Sequence, residues 1–127
     1  MTDGAILASE YWRRMNTNRW ALAGELFAPQ FELIWPQSGE VISTLGNFVA
    51  INENCPAKGA WAFTVHRLIG SGRQAVSETL VSDGSVEAVA VSFFECADDK
   101  ISRITEYWPD PFPAPEWRSR WVETMAD

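Results

Sequence analysis

The strand-like run Lys100-Ile-Ser-Arg-Ile-Thr-Glu-Tyr-Trp108 carries the residue with the clearest chemical potential in this chain. Its β-branched and aromatic residues favour a pleated conformation. Side chains two apart share a face of a strand, so Ile104, Glu106 and Trp108 point the same way. A carboxylate between an Ile and a Trp has two readings. In an apolar cavity its pKa rises and it becomes a general acid/base able to move a proton beside a carbonyl. At a wet rim, or paired with Arg103 or Arg118, it only fixes the tail that follows.

The other titratable residues are weaker candidates. His66 is the single histidine and alternates opposite to Trp61, Phe63 and Val65, which puts it on the outer or dimer-facing side. Glu78 and Glu95 lie in strand-like runs, where a carboxylate belongs more often to a solvated face. Glu40 follows the Trp35-Pro-Gln-Ser-Gly turn and is read as fixing it or capping a helix. Cys55 and Cys96 are too few and too far apart for a redox motif, and with one His they form no zinc constellation. No metal or other cofactor is expected. No serine sits in a Gly-x-Ser-x-Gly context, and no Gly-rich phosphate loop is present.

Composition narrows the partners. The 127 residues suit one domain, 1–127, and carry 17 acidic against 10 basic side chains, a formal charge of −7. Nucleic acid and anionic membranes reward clustered Lys and Arg, so neither is an expected partner. No apolar run reaches the ~20 residues of a membrane span. The opening Met-Thr-Asp-Gly has no basic residue of a signal peptide, which makes the expected location cytoplasmic. Seven Trp and seven Phe exceed what a minimal core needs, and favour a pocket or a dimer interface. Tyr11, Trp35, Phe48, Trp61, Phe94 and Trp108 are read as lining such a pocket and binding a small hydrophobic molecule.

The elements that must position these residues follow from periodicity. Asp3 caps a helix to about Met15, with Leu7, Ala8, Tyr11, Trp12 and Met15 on its apolar stripe. Asn18 is expected to cap a second helix carrying Trp20, Ala23 and Phe27, ended by Pro29. Phe31–Trp35 and Glu40–Ser43 read as a short hairpin, and Thr44 caps a third helix that finishes before Cys55-Pro56. Period-2 runs then follow at Trp61–Ile69, Gln74–Ser82, Val86–Cys96 and Lys100–Trp108. Short turns at Gly70-Ser-Gly72, Asp83-Gly84 and Ala97-Asp-Asp99 make them a meander. Helices grouped ahead of a meander define an α+β fold with an antiparallel sheet. The residues Ala114–Glu123 are expected to form a last short helix bringing Trp117 and Trp121 together.

This order, with Trp35-Pro-Gln-Ser-Gly-Glu40, Leu45-Gly-Asn-Phe-Val-Ala-Ile51, Phe93-Phe-Glu95 and the Lys100–Trp108 run, resembles the SnoaL-like branch of the nuclear transport factor 2-like superfamily. Pro109-Asp-Pro111 and the stretch Trp117-Arg118 through Trp121 add to the likeness. The resemblance implies a curved antiparallel sheet, a cone-like α+β barrel, with three N-terminal helices closing the concave face over an apolar pocket. It also implies a homodimer packed through the convex face. Members include cofactor-independent isomerases, polyketide cyclases, epoxide hydrolases and dehydratases, alongside non-catalytic ligand-binding or dimerisation modules. In the cyclases a catalytic acid follows Lys-Ile on the last strand, and Glu106 stands at the matching spacing after Lys100-Ile101. Here it is a Glu for an Asp, preceded by Thr105 rather than an aromatic.

Overall fold

The computed structural model describes residues 2–125. Helix α1 (Gly4–Met15) starts where the Asp3 carboxylate accepts from the Ile6 amide at 3.1 Å. That bond satisfies one of the unpaired amides of the first turn. Tyr11, Trp12 and Met15 share its buried face, three and four residues apart. On the outer face the Glu10 carboxylate bridges Arg13 and Arg14, and these two cations hold its pKa down at about 2.

The break after α1 is a clamp. Asn16 exchanges two 2.7 Å hydrogen bonds with the backbone of Phe63, and Asn18 does the same with Trp61 at 2.8 Å. Their amides thus act as strand partners for the free edge of β3 (Ala62–Ser71). Asn18 therefore does not cap α2 (Trp20–Gly24), whose preceding residue, Arg19, makes no side-chain cap. The second helix is also shorter than its sequence suggests. Phe27 opens β1 (Phe27–Trp35) and stacks on Phe31 with ring centroids 3.6 Å apart. Pro29 ends no helix; it lies in the irregular stretch of β1 between Phe27 and Glu32, where a residue without an amide hydrogen costs no ladder bond.

Strand β1 turns through Gly39, at φ 78°, into β2 (Glu40–Ile42). Thr44 then caps α3 (Leu45–Asn54) through the Asn47 amide at 3.1 Å. Strands β3, β4 (Gln74–Ser82), β5 (Glu87–Ala97) and β6 (Lys100–Tyr107) form the meander. The six-stranded sheet is curved and unclosed, in the order β2-β1-β6-β5-β4-β3. All neighbours are antiparallel except β1 and β6, which run parallel. The crossover through α3 carries the chain to the far edge, and the meander returns beside β1. Hairpin signals alone do not reveal that pairing.

Alternation sets the two faces. Ala75, Ser77, Thr79 and Val81 on β4, and Ala90, Ser92, Phe94 and Cys96 on β5, are buried under the helices. Tyr11 and Trp12 pack on Phe94 and Phe63 at centroid distances of 5.7 and 5.6 Å. Gly4 permits a close approach at the start of α1: its amide donates to Gly72 at 2.9 Å, and a Cβ there would meet the Gln74 backbone at 2.8 Å. Beyond β6 the chain ends in a 3₁₀ turn (Glu116–Trp121) with no buried residue. Trp117 and Trp121 are 74% and 72% exposed, and each carries the adjacent Arg118 or Arg120 over its ring. The expected short helix thus forms as a 3₁₀ turn, but both indoles stay exposed instead of covering the sheet or the cavity.

Candidate functional site

Glu106 is 4% exposed and lies on the concave face of β6. Ser92 is its partner in register on β5, and the Ser92 hydroxyl donates to Oε2 at 2.6 Å. From β1, the Trp35 indole donates to Oε1 at 3.0 Å. Burial raises the Glu106 pKa above its ordinary value of 4.5, opposed by Ser92, then Trp35, and last by Trp108. Arg103 lies across the sheet, pairing with Glu32 at 3.1 Å and Glu95 at 3.8 Å, and Arg118 stacks on Trp117. Neither guanidinium pairs with Glu106.

The two oxygens are not equivalent. An indole N–H can only donate, so Oε1 must remain an acceptor. A hydroxyl can donate or accept, so when Oε2 is protonated Ser92 can turn round and accept a hydrogen bond from it. The pair of bonds occupies about two of the carboxylate's four lone-pair sites, leaving the others for a bound molecule.

Glu106 forms part of the wall of a cavity of about 590 Å³ between the sheet and the helices. This is the range of small-molecule sites. Tyr11, Trp35, Phe48, Trp61 and Trp108 line it, joined by Trp12, Leu33, Phe63 and Val81. Gln37 fixes Trp108 by accepting from its backbone amide at 2.6 Å and donating to its carbonyl at 3.3 Å. Tyr11 is 1% exposed, and its hydroxyl bonds to no described residue. Burial first, and then the Glu106 charge, raise its pKa, so it stays a protonated donor.

Phe94 is a correction, for it does not line the cavity. It sits further along β5, opposite Ala75 and Ile104, where Tyr11 and Trp12 fill the space above it. Glu78 pairs with Arg67 at 3.0 Å on the outer face, and His66 is the extra residue of a register shift in β3, exposed to solvent. Glu40 does reach the cavity mouth, accepting from Ser38 at 2.6 Å. Ser92 was missed by sequence reasoning, although its alternation with Ala90 and Phe94 placed it on the inner face. Among the described residues no group of three His, Cys, Asp or Glu is placed to hold a metal ion, and no helix is long and apolar enough to cross a membrane.

A curved, unclosed six-stranded sheet with helices over its concave side is the nuclear transport factor 2-like cone. Residues 8–104 match the model of the SnoaL-like domain, and the chain belongs to that family. Its structure is similar to a candidate ketosteroid isomerase of Kribbella flavida DSM 17836, with TM-score 0.87 and 29% identity over 98% of this chain and 90% of that one. A protein of unknown function from Burkholderia xenovorans LB400, described as like nuclear transport factor 2, gives TM-score 0.75 and 30% identity over 94% and 93%. A candidate SnoaL-like polyketide cyclase of Jannaschia sp. CCS1 shares the fold at TM-score 0.56 and 16% identity, over 70% and 69%. No curated protein sequence matches this chain.

Proposed function

We propose that the cavity binds a small hydrophobic molecule and that Glu106 moves a proton on it, in a cofactor-independent isomerisation, cyclisation or hydratase-type elimination. The observation that carries this reading is the state of Glu106: buried, held by two donors, unpaired with any guanidinium, and raised in pKa at the wall of an apolar cavity. In the isomerase form the carboxylate takes a proton from the carbon beside a carbonyl. The electron pair moves to the carbonyl oxygen as an enolate, and the carboxylic acid returns the proton at another carbon. The free Tyr11 hydroxyl is a suitable donor for the oxygen on which charge develops. The likeness to the Kribbella flavida protein favours this class.

The test is exchange of α-protons for deuterium in apolar cyclic ketones, followed by NMR. The reading expects exchange in the wild type and a loss of about a hundredfold or more in Glu106→Gln. Equal exchange in both proteins would sink it. A second reading is a non-catalytic ligand-binding module, favoured by the fixed donor on each carboxylate oxygen. It predicts binding without exchange.

A further inference from the structure

We infer that the cavity selects an amphiphile with an apolar body and a cationic, ammonium-type end, the body among the indoles and the cation at an acidic mouth. This deepens the ligand-pocket reading and rests on it. Four carboxylates line the cavity, Glu106 in the wall and Glu40, Glu87 and Asp110 exposed at the opening. No Lys, Arg or His lines it among the described residues. The three exposed acids come from separate segments: the start of β2, the start of β5 and the tail after β6. Their convergence on one opening therefore reflects tertiary structure and not a local acidic run.

An acidic chain has acids on every surface, and some of them are ion-paired. Glu10 has Arg13 and Arg14, Glu78 has Arg67, and Glu32 and Glu95 share Arg103. At the mouth, Glu87 and Asp110 form no ion pair with a described residue, and Glu40 is met only by Ser38. Inside, Trp35, Trp61 and Trp108 line the cavity with large apolar side chains suited to the ligand's body. The Tyr11 side chain, more than nine-tenths buried, lines the same cavity, and its hydroxyl makes no hydrogen bond to a described residue, so it is free to meet a bound molecule. Apolar walls weaken screening and focus the field of the acids into the opening, so anionic ligands are repelled.

The test is isothermal titration calorimetry at low salt with three probes sharing one ring system: 2-naphthylmethyltrimethylammonium, 2-naphthalenemethanol and 2-naphthylacetate. The quaternary ammonium keeps its charge at every pH. It should bind about tenfold more tightly than the alcohol, with the acetate weakest, and its advantage should shrink in about 0.5 M NaCl. The double variant Glu87→Gln/Asp110→Asn should also reduce that advantage, whereas Asp98→Asn, which removes a charge from the distant β5–β6 turn, should not. An alcohol or acetate that binds as tightly as the ammonium would overturn the inference and leave the ligand pocket standing. Equal losses in Asp98→Asn would overturn it too, since net charge alone would then explain the preference. If none of the three probes binds, the pocket reading itself fails.

Discussion

The Ser92 hydroxyl stands 2.6 Å from Glu106 Oε2, directly across the β5–β6 ladder and out of contact with solvent. A hydrogen bond to the charged form of an acid favours that form, so this contact offsets part of the burial that raises the Glu106 pKa. Ser92→Ala should raise that pKa further and cost about 1–3 kcal/mol of stability where Glu106 is ionised. Trp35→Phe should act in the same direction through Oε1. Carboxyl-detected NMR titration of each variant checks both, and a pKa that stayed still or fell would contradict the assignment.

The pairing of Ser92 with Glu106 also shows where the sequence stops being legible. Counting back from the Ala97-Asp-Asp-Lys100 turn places Val91 opposite Glu106. The register shift beside Glu95 makes Ser102 an extra residue and moves Ser92 into that place. The same shift puts Ile104 and Glu106 on the inner face with Ile101. The strands, their turns, α1 and α3 were readable because period and capping are local signals. The parallel β1–β6 pair and the short α2 were not, because tertiary contacts decide them: Asn18 finds the backbone of Trp61, and Phe27 finds Phe31. Among the pocket aromatics, alternation put Phe94 on the correct face, but depth under α1 decided that it was core.

Glu106 should make stability depend on pH in a defined direction. Its pKa is higher in the folded chain than the ordinary 4.5, so the folded state holds the proton more firmly than the unfolded one. The burial penalty is absent below about 4.5, grows as pH rises towards the folded pKa, and is complete above it. Glu106→Gln, which resembles the protonated acid and can still accept from Trp35, should therefore stabilise the protein at neutral and alkaline pH. The gain should fade as the pH drops below about 4.5. Urea denaturation across pH checks this, and a gain that grew on acidification would refute it.

Asp83 should behave in the opposite way. Its carboxylate accepts from the Val86, Lys58 and Ser85 amides at 2.8–2.9 Å, and these bonds bring its pKa down from 3.8 to about 2. Its contribution is fully present above pH 3.8 and is lost as pH falls through about 2. Asp83→Asn should be less stable than the parent at pH 5 and closer to it near the acid end. Amide hydrogen exchange at Ser85 and Val86 should rise in the variant, locating the loss in the β4–β5 turn.

Gly4 is a test of the packing that positions Tyr11. A methyl group there would press on the Gln74 backbone at 2.8 Å, and backbone cannot swing aside as a side chain can. Gly4→Ala should cost about 1–3 kcal/mol by overpacking, despite the better helix propensity of alanine. Gly46→Ala, where nothing lies within 4 Å of the added carbon, is the control and should be neutral or slightly stabilising. Equal effects of the two in thermal denaturation would show that α1 can shift away from the β3–β4 turn.

The convex face carries the last prediction. In register across all six strands stand Ile69, Val76, Phe93, Thr105, Ile34 and Val41. Ile69, Phe93 and Val41 are exposed, and Tyr107 meets Phe93 edge-on at 6.3 Å. Beside this band lies the ion-paired row of Glu95, Arg103 and Glu32. An apolar strip with a satisfied polar border is the composition of an interface core and rim. We propose that a second copy covers it, forming a homodimer of two 14.2 kDa chains. Sedimentation should give twice the chain mass for the wild type, and Ile69→Arg/Phe93→Arg should return it to one while the circular dichroism is retained. A wild-type chain that sediments as a monomer at high concentration would rule out the dimer, and the strip would then have to be read as exposed surface.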